Sequence, residues 1–333
     1  MISGSLFFYQ NWLTFLLALW LSFLLTKAQI IERRITTKNK VRKIYTYISE
    51  ECELKKTHRN INCFLYEFFT PSVFSKAYIK GSSIYENAKA HMYNDYFIML
   101  DIRDFFSTIS HKLLEKKMFK ELNKKRKNCI SLAQCKKIIR ICSIDERGLP
   151  LGFITSPVLS NIYMKEFDCI VYGKIRKIPG MKEKNIIYTR YADDMIISFK
   201  WTEQSKDKKI EDQIISIIND QLKRIFLKIN TNKTRSYILN VSNHVKVTGV
   251  NISKNDNNIR ILTVGRKIKN ELFWEAVNAY EAQEKSRINY IKGLQSFILS
   301  IEKCGYEKSY SNDMMQLIKN KGFSTLKELV DSL

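Results

Sequence analysis

Asp193 and Asp194 stand side by side in YTRYADDMIISF, Tyr188 to Phe199, with apolar and β-branched residues on both sides. Few features restrict a fold more. Each carboxylate loses hydration if buried, and each repels the other. In a straight strand the two would point to opposite faces. They share one site only if the chain turns between its two apolar arms. The stretch therefore predicts a tight β-hairpin with both acids at its tip. A hard divalent cation such as Mg²⁺, which favours oxygen ligands, would offset their repulsion.

A second acid is then expected from elsewhere. YFIMLDIRDFFSTIS, Tyr96 to Ser110, offers Asp101 at the end of a short apolar strand. Asp101, Asp193 and Asp194 together could hold two Mg²⁺ ions roughly 3.5–4 Å apart, the arrangement that stabilises attacking and leaving oxygens in phosphoryl transfer. Adjacent Asp pairs are common in surface turns. Here the apolar arms, the second strand ending in Asp and the charge of the whole chain weigh against that reading. The 56 Lys and Arg against 33 Asp and Glu give +23, which points to a polyanionic partner, either nucleic acid or an anionic membrane. The basic residues come in blocks, KKTHR at 55–59 and KKRK at 124–127, among scattered aromatics. That mix suits backbone contacts plus base stacking. The seven cysteines form no C-x-x-C pair and the four His form no H-x₃₋₅-H, which disfavours zinc.

Residues 1–26 carry no charge. The apolar span from Leu6 to Leu25 is long enough to cross a bilayer. Lys27, Arg33, Arg34, Lys38, Lys40, Arg42 and Lys43 follow it, an asymmetry that leaves the C-terminal bulk in the cytoplasm. The expectation is a cytoplasmic protein with a tether to the inner face of the membrane through residues 6–25. A core helix and a misassigned start codon are the alternatives. A cleaved signal peptide fits worse, because no basic region precedes the apolar run.

From about residue 40 the chain reads as mixed α and β. VRKIYTYI alternates like a strand, and residues 55–70 look helical. Residues 110–145 read as basic and helical. Ser156-Pro157 opens a helix over SPVLSNIYMKEFDCIVYGKI. IEDQIISIINDQLKRIFLKI reads as an amphipathic helix. VKVTGVNI and NIRILTV read as strands flanking the turn SKNDNN. After Gly265 the chain is expected to be all helix.

At this point YADD, LDIRDFF, GLPLGFITSPVLSNIYM and LKINTNKT occur in an order and spacing that resembles the reverse transcriptases. The resemblance covers roughly residues 40–300, and the joint match is specific where each motif alone is not. It implies an α+β right-hand polymerase fold of fingers, palm and helical thumb, behind an apolar N-terminal helix. The expected division is 1–28 for that helix, 29–265 for fingers and palm, and 266–333 for the thumb and C-terminal region. The resemblance also implies RNA-templated DNA synthesis from dNTPs with two Mg²⁺ ions. By matching position, Asp101 and Asp193 are the main metal ligands and Asp194 the supporting one. Phe106 matches a steric gate against ribonucleotides. Arg42 matches a fingers arginine that meets the triphosphate, and Lys233 a lysine that protonates pyrophosphate. The chain departs from the usual L-P-Q-G: Leu151 stands where a Gln is common, before Gly152. Phe226 stands where a Gly often precedes the lysine motif. These departures put fidelity, speed and template preference in question more than the chemistry.

NAKAH, Asn87 to His91, and VTG, Val247 to Gly249, narrow the resemblance to bacterial retron reverse transcriptases. It implies a cognate structured noncoding RNA, partly copied from the 2′-hydroxyl of an internal guanosine into a branched RNA–DNA hybrid (msDNA). It also implies a separate effector protein and a role in anti-phage defence. Asn87, His91, Val247, Thr248 and Gly249 are then candidates for RNA recognition. A core histidine and an ordinary strand are the plainer readings of those marks. Another bacterial defence or abortive-infection reverse transcriptase, and a scaffold that binds RNA without polymerising, remain alternatives. Intact Asp101, Asp193 and Asp194 argue against the scaffold.

Overall fold

A computed structural model describes residues 29–333 except 38–39, 202–206, 256, 284 and 304. The N-terminal helix expected over 1–28, with its apolar span 6–25, lies outside the described residues. Among the described residues no helix is long and apolar enough to cross a membrane.

Strands β1 (Ile30–Thr37) and β2 (Lys40–Tyr47) form an antiparallel ribbon. The ribbon is tied to the protein by β2. Tyr45 N–H donates to the Leu151 carbonyl at 2.8 Å. The Tyr47 ring stacks on Phe153 at 5.6 Å, and its hydroxyl reaches buried His58 Nδ1 at 2.7 Å. His58 lies on α1 (Glu53–Phe68). Next come α2 (Ile84–His91), β3 (Tyr96–Asp101), α3 (Phe105–Thr108), α4 (His111–Leu122) and α5 (Leu132–Ile141). The stretch 110–145, expected to be helical, holds two helices with a basic loop between them. Ser131 caps the second through a reciprocal pair of bonds with Gln134, and the Asn123 side chain at the end of the first bonds the Ile130 backbone.

Helix α6 (Ser156–Ile175) occupies the predicted stretch and is buried around most of its circumference. It leads to β4 (Ile187–Tyr191), β5 (Asp194–Phe199) and α7 (Asp207–Arg224). The amphipathic helix was expected to reach residue 229. It ends at Arg224, and Phe226 takes a left-handed φ of 59° that breaks it. Then follow β6 (Arg235–Ile238), α8 (Leu239–Ser242), β7 (His244–Val247), β8 (Val250–Lys254) and β9 (Arg260–Thr263). VKVTGVNI is not one strand. Val247 pairs with Val250, and Thr248-Gly249 is a two-residue turn between β7 and β8. Helices α9 (Arg266–Ala282), α10 (Ile288–Ile301), α11 (Asn312–Asn320) and α12 (Leu326–Ser332) complete the chain, as expected after Gly265.

The central sheet has the order β4-β5-β3-β6, and every pairing is antiparallel. Ile98, Leu100, Met195 and Ile197 face a core built with α1 and α4–α7. Phe97 and Ile196 face a second core, built with α2, β7–β9 and the C-terminal helices. Burial on both faces is why β3 reads as a continuous apolar run rather than an alternating one. The first polar residue after that run is Asp101. The antiparallel pairing brings it to the edge where β5 begins.

Candidate active site

Asp101 ends β3, Asp194 begins β5, and the two are directly paired. Tyr191 pairs with Asp194, so Ala192 and Asp193 make a two-residue turn. The acids therefore meet at the tip of a hairpin, as the sequence predicts. Ala192 carries a φ of 57°. Two-residue hairpins use a positive φ at this position, but an alanine there costs on the order of 1–2 kcal/mol, because its Cβ crowds a carbonyl oxygen. Ile102 N–H donates to the Asp193 carbonyl at 3.0 Å and ties the turn to the chain leaving Asp101.

The Asp101 side chain is buried and fully engaged. Lys233 Nζ donates to Oδ1 at 2.6 Å, and Asn230 Nδ2 donates to Oδ2 at 3.0 Å. That hydrogen bond, reinforced by the three acidic charges, pushes the Lys233 ammonium above its ordinary range. Burial and the Asp101 charge raise the Asp193 carboxyl, with Lys233 and Arg42 opposing. Desolvation by the surrounding walls, then the charges of Asp193 and Asp101, push Asp194 up to about 6. Asp194 keeps an exposed side chain by surface area, so water screens much of that effect.

Among the described residues no three carboxylate, imidazole or thiolate groups already converge on a point that could hold an ion. The chemistry of the donor set nonetheless suits a hard divalent cation. Asp101 and Asp194 are ladder partners and Asp193 adjoins them in the turn; burial and the Asp101 charge raise both Asp193 and Asp194.

A cavity of about 1030 Å³ opens beside them, lined among others by Arg42, Asp101, Phe106, Leu151, Asp193 and Lys233. Six of the residues singled out in the sequence thus share one space. Asp194 and Gly152 do not line it, though each adjoins a residue that does. Leu149 N–H donates to the Phe106 carbonyl at 2.8 Å, and the Phe106 ring meets Phe105 and Tyr78 edge-on at 5.1 and 6.5 Å. Gly152 has a φ of 101°, and a Cβ there would stand 2.1 Å from the Tyr45 carbonyl oxygen. Only glycine lets the Leu151-Gly152 loop close on β2, next to Arg42.

The retron marks lie elsewhere, and they touch. Asn87 Nδ2 donates to Thr248 Oγ1 at 3.2 Å. Asn87 and His91 are fully buried. Asn94 Nδ2 donates to Ser198 Oγ at 2.8 Å, and the same hydroxyl is hydrogen-bonded to His91 Nδ1 at 2.7 Å. His91 Nε2 is hydrogen-bonded to Thr189 Oγ1 at 2.7 Å. His91 thus clamps β4 to β5 from behind the acids.

Two features escaped the sequence reading. Tyr78 sits against Phe106 at a φ of 63°, and its hydroxyl is raised by burial and then by the Asp193 charge. Arg190 and Asp168 form a fully buried ion pair beneath the turn. Its signal was present: an arginine inside the apolar arm IIYTRY and an aspartate inside the apolar helix KEFDCIV each need a partner.

A reverse transcriptase (RNA-dependent DNA polymerase) family profile matches residues 36–252. The retron Ec73 reverse transcriptase of Escherichia coli is 32% identical over 146 residues, 40% of this chain and 45% of that protein. The retron Ec83 reverse transcriptase of Escherichia coli is 27% identical over 267 residues, 76% of this chain and 75% of that one. The match to Ec73 thus spans less than half of that relative's length. A telomerase structure from Candida albicans, in complex with a fragment of telomeric RNA, has a TM-score of 0.48 at 12% identity, over 90% of this chain and 59% of that one. The chain belongs to the reverse transcriptase (RNA-dependent DNA polymerase) family, and its likeness is to the bacterial retron-type members.

Proposed function

We propose that the protein copies RNA into DNA from dNTPs, on two Mg²⁺ ions held by Asp101, Asp193 and Asp194. The observation that carries this is the pairing of Asp101 with Asp194, beside a cavity that Asp101 and Asp193 line with Arg42, Phe106, Leu151 and Lys233. The ions would activate the attacking hydroxyl and neutralise charge on the triphosphate and the leaving oxygen. An ion held by Asp101 would compete with Lys233 for Oδ1 and with Asn230 for Oδ2. A freed Lys233 ammonium stays within the cavity and supplies the proton that pyrophosphate takes up as its bond to the α-phosphorus breaks. Arg42 faces the triphosphate. Phe106 presses on the sugar 2′ position and excludes a hydroxyl there. Leu151 offers the nascent pair an apolar surface without the hydrogen bonds of a glutamine. In this reading residues 29–265 are fingers and palm, and 266–333 are thumb.

The retron part of the proposal is narrower. The chain recognises a cognate structured RNA, starts from an internal guanosine 2′-hydroxyl, leaves a branched RNA–DNA hybrid (msDNA), and serves anti-phage defence with a separate effector. Its support is the likeness to retron enzymes and the contact between Asn87 and Thr248, which joins the two retron marks in one unit. The apolar stretch 6–25 would hold the chain at the inner face of the membrane, which detergent-free fractionation tests.

The central experiment is Mg²⁺-dependent extension on a primed RNA template. Asp193→Asn removes a ligand charge and is expected to abolish synthesis, while RNA binding persists on the basic surface. Normal synthesis by folded Asp193→Asn protein overturns the site. Sequencing the copurifying nucleic acid, with and without debranching, tests the retron part. Linear DNA alone overturns it.

A further inference from the structure

We propose that Arg190 is a positioning residue for DNA synthesis, and that its guanidinium fixes the peptide on which Asp193 is carried. The inference rests on the reading of Asp193 as a metal ligand. Arg190 stands on β4, two residues before the turn, and is fully buried. Nε donates to Asp168 Oδ1 and Nη2 to Asp168 Oδ2, both at 2.9 Å. Those two bonds complete the bidentate pair that burial demands. The third nitrogen does something else. Nη1 donates to the Ala192 carbonyl at 3.2 Å. That carbonyl belongs to the peptide joining the two turn residues, immediately before the Asp193 nitrogen. It follows the residue held at φ 57°.

The other end of the guanidinium is anchored in rigid structure. Asp168 and Asn161 project from α6, and Nη2 also donates to Asn161 Oδ1 at 3.2 Å. Tyr188 O–H donates to Asp168 Oδ1 at 2.9 Å. Asn161 in turn donates to the Ala77 carbonyl at 3.1 Å and accepts from Ser75 Oγ at 2.9 Å. The Arg190 backbone also pairs with this segment, through Phe74 and Lys76, both at 2.8 Å. The segment carries Tyr78, whose ring meets Phe106. One side chain therefore references the strained turn to the central helix and to the wall that backs Phe106. Mutual repulsion of three acids favours opening the turn. A bond to its middle carbonyl opposes that motion directly.

A lysine tests the geometry, because it keeps the charge opposite Asp168 but has no fork to reach Ala192 as well. Arg190→Lys is expected to fold, with a lower melting temperature, because buried acceptors on Asp168, Asn161 and Ala192 lose donors. Its kcat for primer extension should fall about 10- to 100-fold, the scale on which a misplaced catalytic group acts, with KM for dNTP little changed. Mn²⁺ binding, followed by electron paramagnetic resonance without substrate, should weaken several-fold. A purely structural role would leave that readout untouched in a folded variant. Should Arg190→Lys fail to fold, the double variant Asp168→Leu/Arg190→Met decides, since it replaces the pair as an apolar unit. It is expected to show the same two losses. Wild-type kcat and Mn²⁺ affinity in a folded variant of either kind overturn the proposal. Activity retained by Asp193→Asn would instead overturn the ligand assignment beneath it.

Discussion

His91 gives the central sheet a measurable acid limit. It is fully buried between Ser198 and Thr189, and burial, with a smaller push from Lys76, lowers its pKa to about 3. In the unfolded chain the same imidazole titrates near 6.5. Between those values the unfolded chain binds the extra proton and the folded chain does not. Stability therefore rises with pH up to about 6.5 and is lost as pH falls toward 3. From pH 7 to pH 5 the linkage costs about 2 kcal/mol for this one side chain. His58 is buried likewise, and burial lowers it to about 4. It adds a similar loss, so the pair removes about 4 kcal/mol over those two pH units. The measurement is urea unfolding of metal-free wild type and His91→Gln at pH 7, 6 and 5. Glutamine removes the titration and keeps a hydrogen-bonding side chain. Its stability at pH 7 falls through lost packing, but its pH slope should be shallower by about 2 kcal/mol over the range. Equal slopes for the two proteins would refute the argument. The acid effect should appear in catalysis too, because the strands that His91 clamps are those that carry the hairpin tip.

Phe106→Ala should admit ribonucleotides, raising their use relative to dNTPs at least about tenfold, since it deletes a steric block; unchanged discrimination in competition assays with folded protein rules out the gate. Gly152→Ala should destabilise by more than about 2 kcal/mol, because a left-handed backbone and a 2.1 Å approach to the Tyr45 carbonyl both forbid a Cβ; a melting curve like the wild type would show that the loop does not press on β2. Thr248 holds a φ of 45°, an uncomfortable value for a β-branched residue, which asparagine tolerates better. Thr248→Asn should therefore fold at least as well and extend a generic primed template normally, yet use the cognate RNA less; equal use of both templates would confine the turn to a structural role.

The sequence made the strands that carry the acids legible because they break a rule. Acidic pairs inside apolar arms need a compensating reason, and that reason predicted both the hairpin and the approach of Asp101. Helix α6 was legible from Pro157 and a long apolar pattern. The misses have local causes. Thr248-Gly249 was absorbed into a strand because its neighbours alternate cleanly, and a two-residue turn removes no residue from that alternation. The helix over 110–145 was read through a basic loop because lysine and arginine favour helices as readily as they favour solvent. Helix α7 was carried five residues too far because LKI continues the apolar period after the backbone has already reversed at Phe226. Arg190 and Asp168 went unread as a pair because 22 positions of sequence separate them, and only the fold brings them within 2.9 Å.

The site works against itself in the absence of metal, and the magnitudes explain why the buried pair beneath the turn matters. The Asp193 and Asp194 carboxylates repel Asp101 and one another, and water at exposed Asp194 screens part of that repulsion. The left-handed alanine adds about 1–2 kcal/mol of strain at the same tip. A two-residue turn held only by its own ladder could relieve both by splaying, which would leave the acids apart and the cavity without ligands. Three contacts prevent that. Lys233 supplies a cation to Asp101, Ile102 holds the Asp193 carbonyl, and Arg190 holds the Ala192 carbonyl. Lys233 is the contact that can be given up, because it is half-exposed and faces the cavity. Arg190 cannot be given up, because releasing it would strand Asp168 as a buried charge. On the proposed reading the exchangeable contact thus lies in front of the acids, where an incoming cation would compete for it. The permanent one lies behind them, where it keeps the geometry while the exchange takes place.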